Sequence, residues 1–175
     1  MSSFDLSPLG RRFVVPAYAL GLMLPLAGCF QPLYGSLGGQ LSGELQSIAV
    51  DPIPDRVGHY LGNELIFAFN GNGSEVRPKY RLLVIVTEKV QTPLVDTFAG
   101  RASAATVVVE ASYKLIPIAG GEPVTQGTAT SLASYDRTAQ RFANLRGARD
   151  AEILNAKTLA DQIKTRVAAA LASKQ

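Results

Sequence analysis

The stretch 105–117 constrains the fold more than any other part of this 175-residue sequence. It alternates between an apolar series and a mostly polar series that only Val108 interrupts. The apolar series is Ala105, Val107, Val109, Ala111, Tyr113 and Leu115, and the polar series is Thr106, Glu110, Ser112 and Lys114. Because successive side chains of a strand point to opposite faces, the pattern predicts a long strand with one packed face and one wetted face.

Local patterns predict five further elements around this strand. They are strands over 45–53, 80–90 and 124–135, and helices over 56–70 and 151–172 with Asp55 and Asp150 as caps. The order strand, helix, strand, strand, strand, helix favours the α+β class. We expect a two-layer sandwich in which two helices pack on a four-stranded sheet. The first strand and the helix after it resemble the start of a strand–helix–strand crossover, which joins parallel strands. The later strands are joined by a hairpin, so the sheet is predicted to be mixed.

A single cysteine, Cys29, follows Leu26-Ala27-Gly28. An apolar run over 13–26 precedes it, and Arg11 and Arg12 precede that run. A positive start, a short apolar stretch and small residues are typical of a secretory signal. With a cysteine at the cleavage point, the stretch looks like the lipobox of a bacterial lipoprotein signal peptide. In such proteins the peptidase cuts before the cysteine, which then carries the lipid.

Two other interpretations of this stretch are a transmembrane anchor and an ordinary cleaved signal. The apolar run is interrupted by Pro16 and Pro25 and is short against the roughly 20 residues that a spanning helix needs. The arginine pair also leaves twin-arginine export open beside general secretion. We therefore predict a lipoprotein signal peptide over 1–28, a lipidated Cys29 with a flexible Gly- and Ser-rich tether over 29–46, and one domain over 47–175.

Charge and motif content narrow the function of the domain. Removing Arg11, Arg12 and Asp5 with the signal reduces 17 basic and 14 acidic side chains to 15 and 13, which argues against a nucleic-acid binder. With Cys29 lipidated no thiol remains for a disulfide or a thiolate metal site, and His59 alone cannot form a multi-histidine site. Nucleophile-elbow, phosphate-loop and zinc-protease motifs are lacking. We expect no enzyme, no cofactor and no metal.

One segment, 135–149, is chemically suggestive. It holds Arg137, Arg141, Arg146 and Arg149 with two apolar residues among them, Phe142 and Leu145. Arginine suits phosphate and carboxylate recognition because its planar fork donates paired hydrogen bonds. The alternative is a solvated loop that leads into the last helix, with Arg149 paired to Asp150 or Glu152. Arg101 is a further basic position, in the turn before the third strand.

The lipobox, the Phe30-Gln31-Pro32-Leu33-Tyr34-Gly35 tether, Ile48-Ala49-Val50 and the element order together resemble the LPS-assembly lipoprotein LptE family of alphaproteobacteria. The resemblance implies a plug inside the LptD β-barrel that helps deliver lipopolysaccharide to the cell surface. It implies anchoring by Cys29 at the periplasmic face of the outer membrane, since Phe30 is not the aspartate that signals inner-membrane retention.

The resemblance also directs attention to basic residues near strand ends as lipopolysaccharide ligands. The candidates here are Arg101, Arg137, Arg141 and Arg146. A plug should present a polar surface to a polar barrel lumen, and the predicted wetted strand face and the strand over 124–135 are such surfaces. Two rival functions stay open: a pilot or scaffold lipoprotein for another outer-membrane complex, such as a secretin, and a periplasmic enzyme.

Overall fold

The computed structural model describes residues 38–71, 76–92, 95–96 and 101–174. The predicted signal peptide and Cys29 lie outside these residues. Three helices are described: α1 (Gly38–Gln46), α2 (Arg56–Asn70) and α3 (Arg141–Ala172). Six strands are described: β1 (Ile48–Val50), β2 (Tyr80–Gln91), β3 (Val95–Asp96), β4 (Arg101–Ala102), β5 (Ala104–Pro117) and β6 (Thr125–Asp136).

The main sheet has four strands in the order β1-β2-β5-β6. β1 runs parallel to β2, with Ile48 opposite Tyr80, while β2, β5 and β6 are antiparallel neighbours. β3 and β4, which lie between β2 and β5 in the chain, form a separate two-stranded ribbon. The predicted α+β sandwich with a mixed sheet is therefore confirmed, with three helices instead of two.

The long central strand β5 follows the predicted alternation. All six members of its apolar series are buried and face the helices, and Leu115, Val109 and Ala111 are fully inaccessible. The polar series lies on the opposite side of the sheet, where Glu110, Ser112 and Lys114 are exposed. The sheet therefore has an inner face that builds the core and an outer face, on the side away from the helices.

Two helices cover the inner face. α2 directs Val57, Leu61, Leu65 and Phe69 into the core, a spacing of four residues that keeps one side of a helix against its support. α3 packs on β5, β6 and α2 and contributes a longer buried series: Ala156, Leu159, Ala160, Ile163, Val167 and Leu171. No helix among the described residues is long and apolar enough to cross a membrane.

The region predicted as a flexible tether differs from the structure in its second half. Residues 38–46 form α1, which buries Leu41 and Leu45 in the main core. The compact unit consequently extends over Gly39–Gln175 and begins before the predicted boundary at residue 47. The glycines and serines suggested flexibility, but two leucines four residues apart are enough to hold one helical face against the core.

The last helix starts ten residues earlier than predicted. Residue 150 lies inside α3, so Asp150 is not its cap, and the helix begins at Arg141. Thr138 and Asn144 support this start: the Thr138 amide donates to Asn144 Oδ1 at 2.8 Å, and Asn144 Nδ2 donates to the Thr138 carbonyl at 2.9 Å. At α2, Asp55 occupies the predicted N-cap position but its side chain makes no cap hydrogen bond.

Two buried polar side chains of α3 fix its position. Glu152 is 2% exposed and accepts hydrogen bonds from Arg56 at the start of α2, one of them 2.7 Å from Nε to Oε2. Asn155 is fully buried, accepts a hydrogen bond from the Ser131 hydroxyl at 2.8 Å, and donates to the Val107 carbonyl at 2.9 Å. Because a buried polar group is costly without a partner, these bonds set the register of the helix on the sheet.

Candidate functional site

The predicted basic residues converge at one end of the sheet, where β5 begins and β6 ends. Arg101 lies on β4, three residues before β5, and Arg137 directly follows β6. The Arg137 amide donates to the Ser103 carbonyl at 2.9 Å, which holds these two segments together. Arg141 and Arg146 lie in the first two turns of α3, which starts shortly after β6 ends. We call this region the arginine end.

The side chains of Arg137 and of the arginines at the start of α3 are exposed to solvent. Arg137, Arg141, Arg146 and Arg149 are all exposed. The alternative that Arg149 pairs with Glu152 is wrong, because Glu152 is buried and bound to Arg56. In the described part of the chain, no ion pair is found for any of these four arginines. The segment is also not a loop, since Arg141 to Arg149 are helical, so their side chains project from a firm support.

Apolar side chains are exposed beside these arginines. Phe142 is 72% exposed and Leu145 is 62% exposed. On the other side of this turn, an added Cβ at Gly147 would lie 3.1 Å from Tyr135 Cδ2, so the helix backbone packs closely on the end of β6. The first turns of α3 therefore rest on the sheet through a small residue while their apolar and cationic side chains face outward.

The outer face of the sheet is a second candidate surface, and none of the described helices packs on it. Across β5 and β6 it includes two opposed pairs of short hydroxyl side chains. Thr106 Oγ1 lies 2.7 Å from Ser134 Oγ, and Ser112 Oγ lies 3.3 Å from Thr128 Oγ1. The charged residues on this side are Glu110, Lys114 and, at the end of β6, Asp136, and its apolar residues include Val108 and Leu132, which are opposite each other.

A groove of about 740 Å³ lies on this outer face, toward the end of the sheet opposite the arginine end. Leu83 and Ile85 of β2 form its apolar floor, and Lys114 and Gln126 contribute polar groups. Near its rim, Arg81 donates to the Asp51 carboxylate at 2.6 Å. The outer face is consequently apolar at the groove, and its two hydroxyl pairs lie on either side of the opposed Val108 and Leu132 and of Glu110.

Two solved structures share this fold. A protein of Caulobacter crescentus named as a lipoprotein superposes with a TM-score of 0.61 at 20% identity, covering 78% of this chain and 98% of its own. A minor lipoprotein from Acinetobacter baumannii gives a TM-score of 0.51 at 14% identity, covering 70% of this chain and 90% of its own. No protein-family profile matches the sequence, and no curated protein matches it significantly.

The single histidine does not contribute to either surface. His59 is exposed on α2, where its Nε2 lies 3.2 Å from Asn63 Nδ2. Within residues 38–71, 76–92, 95–96 and 101–174, no group of three or more histidine, cysteine, aspartate or glutamate side chains is placed to hold a metal.

The sequence missed two aspects of these surfaces. It grouped Arg149 with the other arginines but did not show that Arg141, Arg146 and Arg149 lie on one helix, because the predicted cap at Asp150 placed the helix start after them. It also did not show the groove, because β2 is apolar on both sides and periodicity cannot say which side is left uncovered. The available sequence signal for the earlier helix start was Thr138, since threonine is common just before a helix begins, and the structure shows it bonded to Asn144.

Proposed function

We propose that this chain is an outer-membrane lipoprotein, anchored by Cys29 at the periplasmic face, that plugs and supports the assembly of an LptD-type β-barrel. In this role it takes part in the transport of lipopolysaccharide to the cell surface. The lipobox supports the anchor, and the fold shared with two lipoproteins is consistent with it. The domain itself acts by binding, with no catalytic step.

The outer face is the observation that carries this proposal. The outer face of a two-layer sandwich can be exposed to solvent, but the surface of a plug must have a polarity similar to that of the barrel wall around it. A barrel lumen is polar. The paired hydroxyls of Thr106, Ser112, Thr128 and Ser134 are small, uncharged and already hydrogen-bonded to one another, so they can be covered without a large desolvation cost.

The arginine end supports the second part of the proposal. The phosphates of lipid A would be recognised by Arg101, Arg137, Arg141 and Arg146, because guanidinium groups bind phosphate oxygens through paired hydrogen bonds. The exposed positions of Arg137, Arg141 and Arg146 leave these groups free to rearrange around a ligand. Such an attraction weakens as salt is added.

Site-specific photo-crosslinking tests the plug. A photoreactive residue replaces Thr130, which is exposed on the outer face, or Lys157, which is exposed on α3. Irradiation of intact cells should link position 130 to one large barrel, identified as LptD-type by mass spectrometry, and should leave position 157 unlinked to it. Linkage of position 130 to a secretin would assign the pilot function instead, and equal linkage from both positions would contradict insertion of this face in a barrel.

Lipopolysaccharide binding is tested separately. Replacing Arg101 and Arg141 with glutamate should reduce the lipopolysaccharide retained by the tagged protein, and high salt should reduce it in the wild type. The control replaces Lys157 and Lys174, two exposed cations elsewhere on α3 and its end, with glutamate, so that the net charge changes equally. Unchanged retention in the arginine variant would remove lipopolysaccharide from the proposal.

A further inference from the structure

The first turns of α3 present one continuous amphipathic face to the outside. At 100° per residue, Phe142, Leu145, Arg146, Arg149 and Ile153 fall within an arc of about 100°. Phe142 and Leu145 are among the most exposed large apolar side chains of the described residues, and Ile153 is 40% exposed. On the inward side of the same turns, Gly147 makes the contact with Tyr135. The apolar side chains of this face therefore do not pack in the core.

The arginines of this face do not stabilise the helix either. Residues 137–149 contain four arginines and no acidic side chain. The first turn of α3 has no acidic residue and begins with Arg141. A helix N-terminus carries partial positive charge, so a cation there is unfavourable for the helix. In the described part of the chain, no ion pair with a carboxylate offsets this.

We propose that this face docks on an anionic phospholipid bilayer surface. Charge complementarity selects the partner: unpaired arginines without interspersed carboxylates match phosphate headgroups. The apolar side chains select the same partner, because an interfacial helix buries aromatic and aliphatic side chains about 5–10 Å into the boundary between headgroups and acyl chains. Arg146 and Arg149 flank Phe142 and extend their charged ends toward the phosphates.

This inference goes beyond the proposed function, because it requires neither a barrel nor lipopolysaccharide. The binding partner is the surface of the bilayer itself. Docking of α3 would fix the orientation of the domain relative to the membrane, which a lipid on the end of a chain does not do. The experiment can therefore be made in vesicles that contain phospholipids alone.

The chain lacks tryptophan, so a single tryptophan gives an unambiguous local signal. Phe142→Trp is the probe, and Phe67→Trp is its matched control, since Phe67 is also a helical phenylalanine and is 70% exposed, against 72% for Phe142. Phe67 lies on α2, and the arginines nearest to it in the sequence are Arg56 and Arg77. Both variants are made in the full chain, so any attachment through the N-terminal segment is the same in each.

With vesicles that contain phosphatidylglycerol, we expect the emission of the tryptophan at position 142 to shift to shorter wavelength and to be quenched by brominated lipids. The emission of the tryptophan at position 67 should stay at its value in buffer. With phosphatidylcholine alone, the shift at position 142 should be lost. Emission from position 142 that matches position 67, or an equal shift in both kinds of vesicle, would overturn the proposal.

The arginines are tested in the Phe142→Trp background. Replacing Arg146 and Arg149 with glutamine should abolish the emission shift, whereas replacing Lys157 and Lys174 with glutamine should retain it. Circular dichroism checks that both variants keep their helix content. A shift that survives the arginine replacements, or one that occurs with lipopolysaccharide aggregates and not with phosphatidylglycerol vesicles, would show that this face has another partner.

Discussion

Gly58 allows the loop after β1 to cross closely over α2. A Cβ built on Gly58 would lie 2.7 Å from Ile53 Cγ2 and 3.1 Å from the Ile53 carbonyl carbon. Both the side chain and the backbone of Ile53 are therefore too close for any side chain at position 58. One turn later, a Cβ on Gly62 would lie 3.8 Å from Ile53 Cδ1, which is an ordinary contact. The two glycines of α2 are therefore unequal, although their sequence surroundings look alike.

Alanine replacements should separate the two glycines. Gly58→Ala is expected to lower the free energy of unfolding by about 1–3 kcal/mol, because overpacking forces the backbone to move. Gly62→Ala is expected to raise it by about 0.5–1 kcal/mol, because alanine loses less entropy in a helix. Urea unfolding of the two variants measures both effects, and equal changes would show that Ile53 does not approach α2 as described.

Two glutamates make opposite contributions to stability. Burial raises the pKa of Glu88, with repulsion from Glu152 adding to it and attraction to Arg56 opposing it. A hydrogen bond from Lys79 lowers the pKa of Glu44, and Nζ of Lys79 lies 2.8 Å from Glu44 Oε1. A raised folded-state pKa means that the ionised form opposes folding, and a lowered one means that the ionised form supports it.

The two replacements by glutamine should consequently act with opposite sign at neutral pH. Glu88→Gln is expected to raise the melting temperature, and this gain should shrink as the pH falls toward the ordinary carboxyl pKa of 4.5, because the wild-type carboxylate then takes up its proton. Glu44→Gln is expected to lower the melting temperature, and that loss should disappear once the pH falls below the lowered pKa of Glu44. Thermal unfolding followed by circular dichroism across the acid range checks both, and a common sign would contradict the pKa directions.

At the scale of elements, α3 protects the free edge of the sheet. β6 is an edge strand, and two of its carbonyl groups receive hydrogen bonds from the helix. Arg166 Nη1 donates to the Thr128 carbonyl at 2.7 Å, and Gln162 Nε2 donates to the Thr130 carbonyl at 3.4 Å. Exposed edge strands template pairing with other chains, so covering their carbonyl groups prevents such pairing.

Removing this protection should increase self-association. The double variant Gln162→Ala and Arg166→Ala is expected to form dimers or larger species at concentrations where the wild type is monomeric, because the two carbonyl groups become available to another strand. Light scattering after size exclusion measures this. Lys157→Ala, which also removes one cation from α3, should behave as the wild type. A double variant that stays monomeric would show that the edge is protected by other means.

Elements that carry their own strong pattern could be predicted to within about one residue. β5 and α2 alternate or repeat so regularly that burial on one face leaves little choice, and β2 is a continuous apolar run, which also predicts a strand. The elements that were missed depend on distant partners. α1 is helical because Leu41 and Leu45 reach the core, and its glycines hide this locally. The first turns of α3 depend on the fit of Gly147 to Tyr135, which no local pattern reveals. For the same reason the sequence identified the candidate arginines but did not show that they meet at the arginine end.

At the scale of the whole molecule, the lipid and the domain should be separable. Among the described residues, the buried core consists of residues from 41 onward. We therefore expect Cys29→Ala, expressed behind a signal peptide that is cleaved without lipidation, to fold with an unchanged melting temperature. The variant should leave the membrane fraction on gentle extraction. A fold that is lost with the lipid would contradict this separation. If the variant still assembles with the proposed barrel partner, the lipid serves targeting only.

The position of α3 in the chain has a consequence for biogenesis. The inner face of β5 and β6 is covered mainly by α3, and its buried series extends to Leu171. If this chain is exported N-terminus first, as proposed, both strands emerge before their cover, so an apolar sheet with an unprotected edge is exposed for as long as the remaining residues are in transit. Such an intermediate aggregates readily. We therefore expect the domain to complete its fold only after translocation ends, and a chaperone that holds extended chains to protect it during that interval.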